Sequence, residues 1–105
     1  MCGITGIYLG DKNALVDRGI VLRMRDVMHH RGPDEQGIDV DGNIGLGHTR
    51  LSIIGLQSGQ QPMVAADGRF WIVYNGETYN YVTLRSELES KGYVFKTDSD
   101  TEVVM

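Results

Sequence analysis

The chain has a single cysteine, Cys2, in 105 residues. That excludes an internal disulfide framework and fits a reducing compartment. No apolar run approaches the ~20 residues that span a bilayer. The N-terminus has neither a basic segment nor a long apolar core, so it does not read as a secretory signal, and the expected location is cytoplasmic. Positive charge is in short supply: ten Lys and Arg face fourteen Asp and Glu, a formal net charge of −4. Non-specific binding to nucleic acid or to an anionic membrane is therefore not expected. The phosphate-cradling pattern GxxxxGK[ST] is absent. Cys2, His29, His30 and His48 match no zinc spacing, and the adjacent histidines point different ways on a helix end, so no metal site is expected. Glycine, by contrast, is plentiful at 14 residues. It favours strands, tight turns and backbone that something else approaches closely. The length allows one domain at most, with a modest core.

The pattern along the chain is α+β. Gly3–Leu9 (GITGIYL) reads as a short buried strand. From about Val16 to His29 the spacing turns helical, with Ile20, Met24 and Met28 four apart and Val27 widening the stripe. Gly32 and Pro33 stop it. Gly37–Val40 and Ile44–Thr49 flank the turn Asp41-Gly42-Asn43, and Met63–Ala66 and Arg69–Tyr74 flank Asp67-Gly68, which gives two hairpins. Arg69–Tyr74 is the strongest strand by composition. A helix is expected over Tyr81–Lys91, with Asn80 as N-cap, Gly92 as stop, Tyr81, Leu84 and Leu88 on one face, and Glu87–Lys91 as an acid-first pair. Tyr93–Thr97 reads as another strand. Ser99-Asp100-Thr101-Glu102 has capping-box spacing, with Val103-Val104-Met105 opening a helix. A cap with so little helix behind it gives the expectation of a fragment of a larger domain.

Five positions offer chemistry. If Met1 is removed, Cys2 carries a thiol and a free α-amine on one residue, and the amine can take the thiol proton to give a nucleophilic thiolate. The plainer reading is a small buried residue near a terminus. Asn75 and Gly76 end the aromatic strand; a side-chain amide and the next backbone N–H can hold a developing oxyanion, or Asn-Gly is simply a turn. Arg50 can fork onto a carboxylate and Asp100 can hold an ammonium, which together recognise the backbone end of a free amino acid. Alternatively, Arg50 is a salt-bridge partner and Asp100 a helix-start acid.

Read together, the stretches MCGITGIY, HRGPDEQG, GHTRLSIIGLQSGQQPM, VYNGETYNY, LRSELESKGY and SDTEV follow one order and spacing. The chain resembles, from Met1 to Met105, the start of the class II, N-terminal-nucleophile glutamine amidotransferase domain of glutamine-hydrolysing asparagine synthetases. Other class II amidotransferases share the MCGI opening, whereas the RLSI…QPM and YNGExYN stretches resemble the asparagine synthetase branch. The resemblance implies that Cys2 is the nucleophile and its amine the base. Asn75 and Gly76 would form the oxyanion hole, and Arg50 would grip the glutamine α-carboxylate. The backbone of Leu51, Ser52, Ile53 and Ile54 would line the pocket, and Glu77 and Asp100 would hold the substrate amine. The Arg31–Asp34 loop recurs near such sites without an assigned step.

The implied fold is the first half of an αββα sandwich of the N-terminal-nucleophile (Ntn) hydrolase type, with residues 1–105 as the N-terminal portion of the glutaminase domain. The second half and the ATP-dependent synthetase domain are absent from this chain. The implied reaction is glutamine amide hydrolysis supplying ammonia for conversion of aspartate to asparagine. Glutamine and the parent's synthetase domain are the implied partners, and a homodimeric parent is compatible with it. No cofactor is expected in this chain; ATP and Mg2+ belong to the synthetase domain. Thr78 and Gly55 stand where isoleucine and an acid are commoner, which removes no reacting group but leaves the ammonia acceptor open. Alternatives are an amidotransferase module serving a sugar or a peptide, and a non-catalytic glutamine-binding fragment.

Overall fold

In a computed structural model, residues 1–51 and 59–105 are described. The larger sheet has three antiparallel strands in the order β1-β3-β2: β1 is Gly3–Tyr8, β2 is Glu35–Asp41 and β3 is Ile44–Arg50. β2 and β3 form the expected hairpin, with Asp41 opposite Ile44 and Gly42 at φ 57° in the turn. β1 closes on the other side of β3, Gly3 opposite Thr49 and Tyr8 opposite Ile44.

Helix α1 (Arg18–Asp26) lies across this sheet. Asp17 caps it by accepting the Gly19 N–H at 2.8 Å. It is shorter than the apolar pattern suggests, and its inward face differs. Val21 is fully buried, whereas Ile20 and Val27 are exposed. The reason is on β3, where Gly45 and Gly47 face the helix. A Cβ at Gly45 would meet the Val21 and Val16 methyls at 2.8 and 2.9 Å, and one at Gly47 would meet Arg25 Cβ at 3.4 Å. The bare glycine stripe draws the Val21–Arg25 side of α1 onto the sheet. Burying Val21 contributes about 1.5–3 kcal/mol.

β1 is not buried on both faces as expected. Gly3, Thr5 and Ile7 turn toward the covered side, while Ile4 and Tyr8 on the other are exposed. Strand alternation therefore wins over the continuous apolar reading, because only one face lies under a helix.

The second sheet is a two-residue pair, β4 (Met63–Val64) with β5 (Trp71–Ile72). The Asp67-Gly68 turn forms, with Gly68 at φ 75° and Asp67 accepting the Arg69 N–H at 3.0 Å. Among the described residues the expected Arg69–Tyr74 strand shrinks to β5, and the Tyr74 N–H and carbonyl bond to the Gln61 and His48 side chains. Helix α2 (Tyr81–Ser90) matches expectation and ends before Gly92, whose φ of 95° suits glycine. Asn80 precedes it but makes no side-chain cap hydrogen bond. The ion pair on α2 is Arg85–Glu89 at 3.0 Å, and Glu87–Lys91 does not form among the described residues. Arg85 is held there by stacking on the Phe95 ring at 4.8 Å and by donating to the Thr97 carbonyl.

Tyr93–Thr97 is not a strand. The N–H groups of Lys96 and Thr97 donate to the Glu102 carboxylate, both at 2.7 Å, so no ladder is made. That also splits the capping box. Ser99 Oγ caps α3 (Asp100–Val104) by accepting the Thr101 N–H at 3.2 Å, while Glu102 reaches back past the cap. Among the described residues no helix is long and apolar enough to cross a membrane.

The interior is unusual in composition. Among the described residues four apolar side chains are buried, Val16, Val21, Met63 and Val103. Seven polar ones are: His48, Thr49, Arg50, Gln61, Ser99, Asp100 and Thr101. Buried polar groups persist only when paired, and among the described residues no buried side-chain nitrogen or oxygen lacks a hydrogen-bond partner.

Candidate active site

β3 alternates by two. Gly45, Gly47 and Thr49 take the α1 side; Leu46, His48 and Arg50 take the other. At the Arg50 end that second face is covered by residues 59–62, 74–78 and α3. A cavity of about 310 Å³ opens there, lined by Cys2, Arg50, Leu51, Asn75, Gly76, Glu77 and Asp100. Every sequence-derived site residue that the structure describes borders this one space. Ser52, Ile53 and Ile54 lie outside the described residues.

Cys2 reaches the site because β1 pairs with β3 in a register that brings the chain start beside Leu51. The Leu51 N–H donates to Cys2 Sγ at 3.4 Å, and the Leu51 carbonyl lies 3.7 Å from the same sulfur. Arg31 Nε donates to the Cys2 carbonyl at 3.2 Å, so the Arg31–Asp34 loop acts on the placement of Cys2. Met1 also borders the cavity. With it in place the Cys2 nitrogen is an amide and cannot accept a proton.

Arg50 is buried and pairs through Nη1 with Glu35 Oε2 at 2.7 Å, so the salt-bridge reading and the cavity-lining reading both hold. Asp100 likewise serves α3 and the cavity. Its Oδ2 accepts the Thr78 N–H at 2.8 Å and leaves further acceptor capacity on the carboxylate. The neighbouring Glu77 carboxylate holds the Tyr79 phenol above its usual range.

Three contributors escape the sequence reading. His48 is 1% exposed, and its Nε2 donates to the Tyr74 carbonyl at 3.2 Å. Gln61 Oε1 accepts the Tyr74 N–H at 2.5 Å, and its Nε2 donates to Thr101 Oγ1 at 3.3 Å. Burial pushes the His48 imidazole below its ordinary pKa; the Tyr74 carbonyl opposes this, Arg50 adds to it and Glu35 works against it. A signal for His48 was present, since it stands two residues before Arg50 on the same face of a strand. Among the described residues no group of three or more His, Cys, Asp and Glu is placed to hold a metal.

A glutamine amidotransferase domain profile matches residues 1–105. The chain belongs to the glutamine amidotransferase domain family. Curated relatives of this amidotransferase domain are longer proteins. It is 45% identical over 109 residues to the glutamine-hydrolysing asparagine synthetase 1 of Bacillus subtilis strain 168, covering all of this chain and 17% of that protein. It is 38% identical over 105 residues to asparagine synthetase B (glutamine-hydrolysing) of Escherichia coli K12, covering all of this chain and 19% of that protein. It is 39% identical over 104 residues to the glutamine-hydrolysing asparagine synthetase of Sandersonia aurantiaca, at 99% and 19% coverage. The chain thus spans about a fifth of the length of these relatives.

Proposed function

We propose that this amidotransferase domain hydrolyses the side-chain amide of glutamine with Cys2 as nucleophile, supplying ammonia for asparagine synthesis. One observation carries this reading: Cys2, Arg50, Asn75, Gly76, Glu77 and Asp100, drawn from both ends of the chain, border a single cavity.

The reaction begins with removal of Met1, which turns the Cys2 nitrogen into an amine. The amine takes the thiol proton, and the thiolate adds to the amide carbon. Asn75 Nδ2–H and the Gly76 N–H stabilise the oxyanion that forms. The protonated amine returns its proton to the departing nitrogen, ammonia leaves, and a glutamyl thioester remains. Water, deprotonated by the same amine, attacks that thioester and releases glutamate, regenerating the thiol. Arg50 binds the substrate α-carboxylate, Asp100 and Glu77 its ammonium, and the backbone of residues 51–54 walls the pocket.

The fold that suits this chemistry is the Ntn αββα sandwich, of which residues 1–105 form the first half. The ammonia acceptor is aspartate, activated with ATP and Mg2+ by a synthetase domain beyond residues 1–105. No residue of this chain is assigned to that step. A cytoplasmic, homodimeric parent agrees with the reading.

Intact mass tests it. The untreated mass reports whether Met1 is gone. A glutamine-like diazoketone is expected to add once, on Cys2, and excess glutamine to block it. A processed full-length protein that gains no adduct would overturn the assignment.

A further inference from the structure

Among the described residues no sheet ladder continues beyond Ile72, yet the expected oxyanion donors sit at Asn75 and Gly76. An oxyanion hole works by having its donors in place before charge develops. Something must therefore hold this loop.

We propose that His48 and Gln61 are positioning residues that fix the oxyanion loop and tie it to the amine-binding end of the site. This rests on the glutaminase reading above. Between them the two side chains engage both backbone polar groups of Tyr74, the residue immediately before Asn75: His48 takes the carbonyl and Gln61 the N–H. A carbonyl only accepts, so His48 carries its proton on Nε2. Gln61 then donates onward to Thr101. Thr101 follows Asp100, whose carboxylate holds the Thr78 N–H at the loop's other end. The stretch 74–78 is stapled front and rear by side chains from β3, the 59–62 segment and α3.

All three links are buried: His48 is 1%, Gln61 6% and Thr101 3% exposed. His48 does not border the cavity, so it reaches the substrate only through Tyr74. Gln61 is itself pinned by β2. A Cβ at Gly37 would collide with the Gln61 carbonyl oxygen, so Gly37 admits the Gln61 backbone against the sheet. The site's two functions, oxyanion stabilisation and amine recognition, thereby share one hydrogen-bonded frame.

The test is made in the full-length protein with Met1 removed. It follows glutamine hydrolysis and the affinity for the γ-aldehyde analogue of glutamine, which adds to Cys2 and sets its oxygen in the oxyanion position. His48→Leu removes the donor while keeping an apolar filling. The expected result is a kcat lower by on the order of 10–100-fold with KM within about threefold of wild type. Aldehyde affinity should fall in parallel. His48→Gln, which returns an N–H at similar reach, is expected to recover most of both. Thr101→Val, which takes away the hydroxyl that Gln61 bonds, is expected to move kcat and aldehyde affinity the same way by a smaller factor. Unchanged kcat in His48→Leu overturns the proposal, as does a loss carried by KM alone or one that His48→Gln does not relieve. If His48→Leu fails to fold, Thr101→Val decides: unchanged kcat and aldehyde affinity there overturn it. A wild type that neither hydrolyses glutamine nor labels at Cys2 overturns the underlying reading first, so the two failures are told apart before any variant is made.

Discussion

At the scale of the residue, Asn75 and His48 make contrasting predictions. Asn75→Ala takes one donor from the developing oxyanion and should lower kcat by about 10²–10³, or ~2.7–4 kcal/mol, with KM near wild type. Initial rates of glutamate formation check it; a change confined to KM would place Asn75 in binding only. His48 predicts a dependence on pH. Its folded pKa lies below the ordinary 6.5 because burial disfavours the imidazolium. The unfolded chain therefore binds the proton first. The associated stability is complete above pH ~6.5 and is lost as pH falls through the lower folded pKa. Denaturant midpoints measured downward from pH 7 should fall in the wild type and fall less in His48→Gln; parallel curves would remove His48 as the cause. That Cys2, Arg50, Asn75, Gly76, Glu77 and Asp100 belong to one place was legible because a nucleophile, a carboxylate fork and an oxyanion donor would each demand a residue type. Gln61 and Thr101 were not, and His48 only through its place two residues before Arg50, because any donor or acceptor at the right place would serve, and place is a tertiary property.

At the scale of the element, α1 depends on what β3 leaves out. Gly45→Ala sets a methyl 2.8 Å from Val21 Cγ2, and the sheet cannot yield without moving the helix. We expect a loss of about 1–3 kcal/mol in equilibrium unfolding; an unchanged midpoint would mean that α1 docks loosely. Glu102 holds the turn before α3. Glu102→Ala should raise hydrogen exchange at the Lys96 and Thr97 amides by about tenfold or more, given ~1.5–3 kcal/mol for hydrogen bonds to a charged group. Protection that survives the substitution would reassign those amides. The β2–β3 hairpin and α2 were readable because Asp41-Gly42-Asn43 and Gly92 are local punctuation. Tyr93–Thr97 misled because strand composition says nothing about whether a partner strand lies alongside. The inward face of α1 misled because the complementary glycines lie on another element.

At the scale of the whole molecule, apolar surface is conspicuous. Tyr8, Leu15, Val27 and Val94 are all exposed, and the open β1 face continues through Ile4 and Ile44. A second, wider depression of about 630 Å³ is lined by Phe70, Tyr93, Val94, Phe95, Val104 and Met105. Exposed apolar patches of this kind drive association. Residues 1–105 alone are expected to sediment as oligomers with a broad thermal transition, and a monodisperse monomer with one sharp transition would contradict this. Among the described residues the buried side chains are also more polar than apolar.

The pairing of β1 with β3 has a consequence in the order of synthesis. Cys2 is made almost first, whereas the Leu51 amide that meets its sulfur comes 49 positions later, and Asp100 as far again beyond Leu51. Until β3 emerges, the nascent N-terminus has no strand to join and stays within reach of an aminopeptidase. On the proposed chemistry, Met1 is clipped from loose chain and the exposed amine is drawn into a sheet afterwards. On that same proposal the thiol would be armed early while its pocket would close only when the α3 residues arrive, so a chain not yet grown to α3 would hold a nucleophile with nothing to act on.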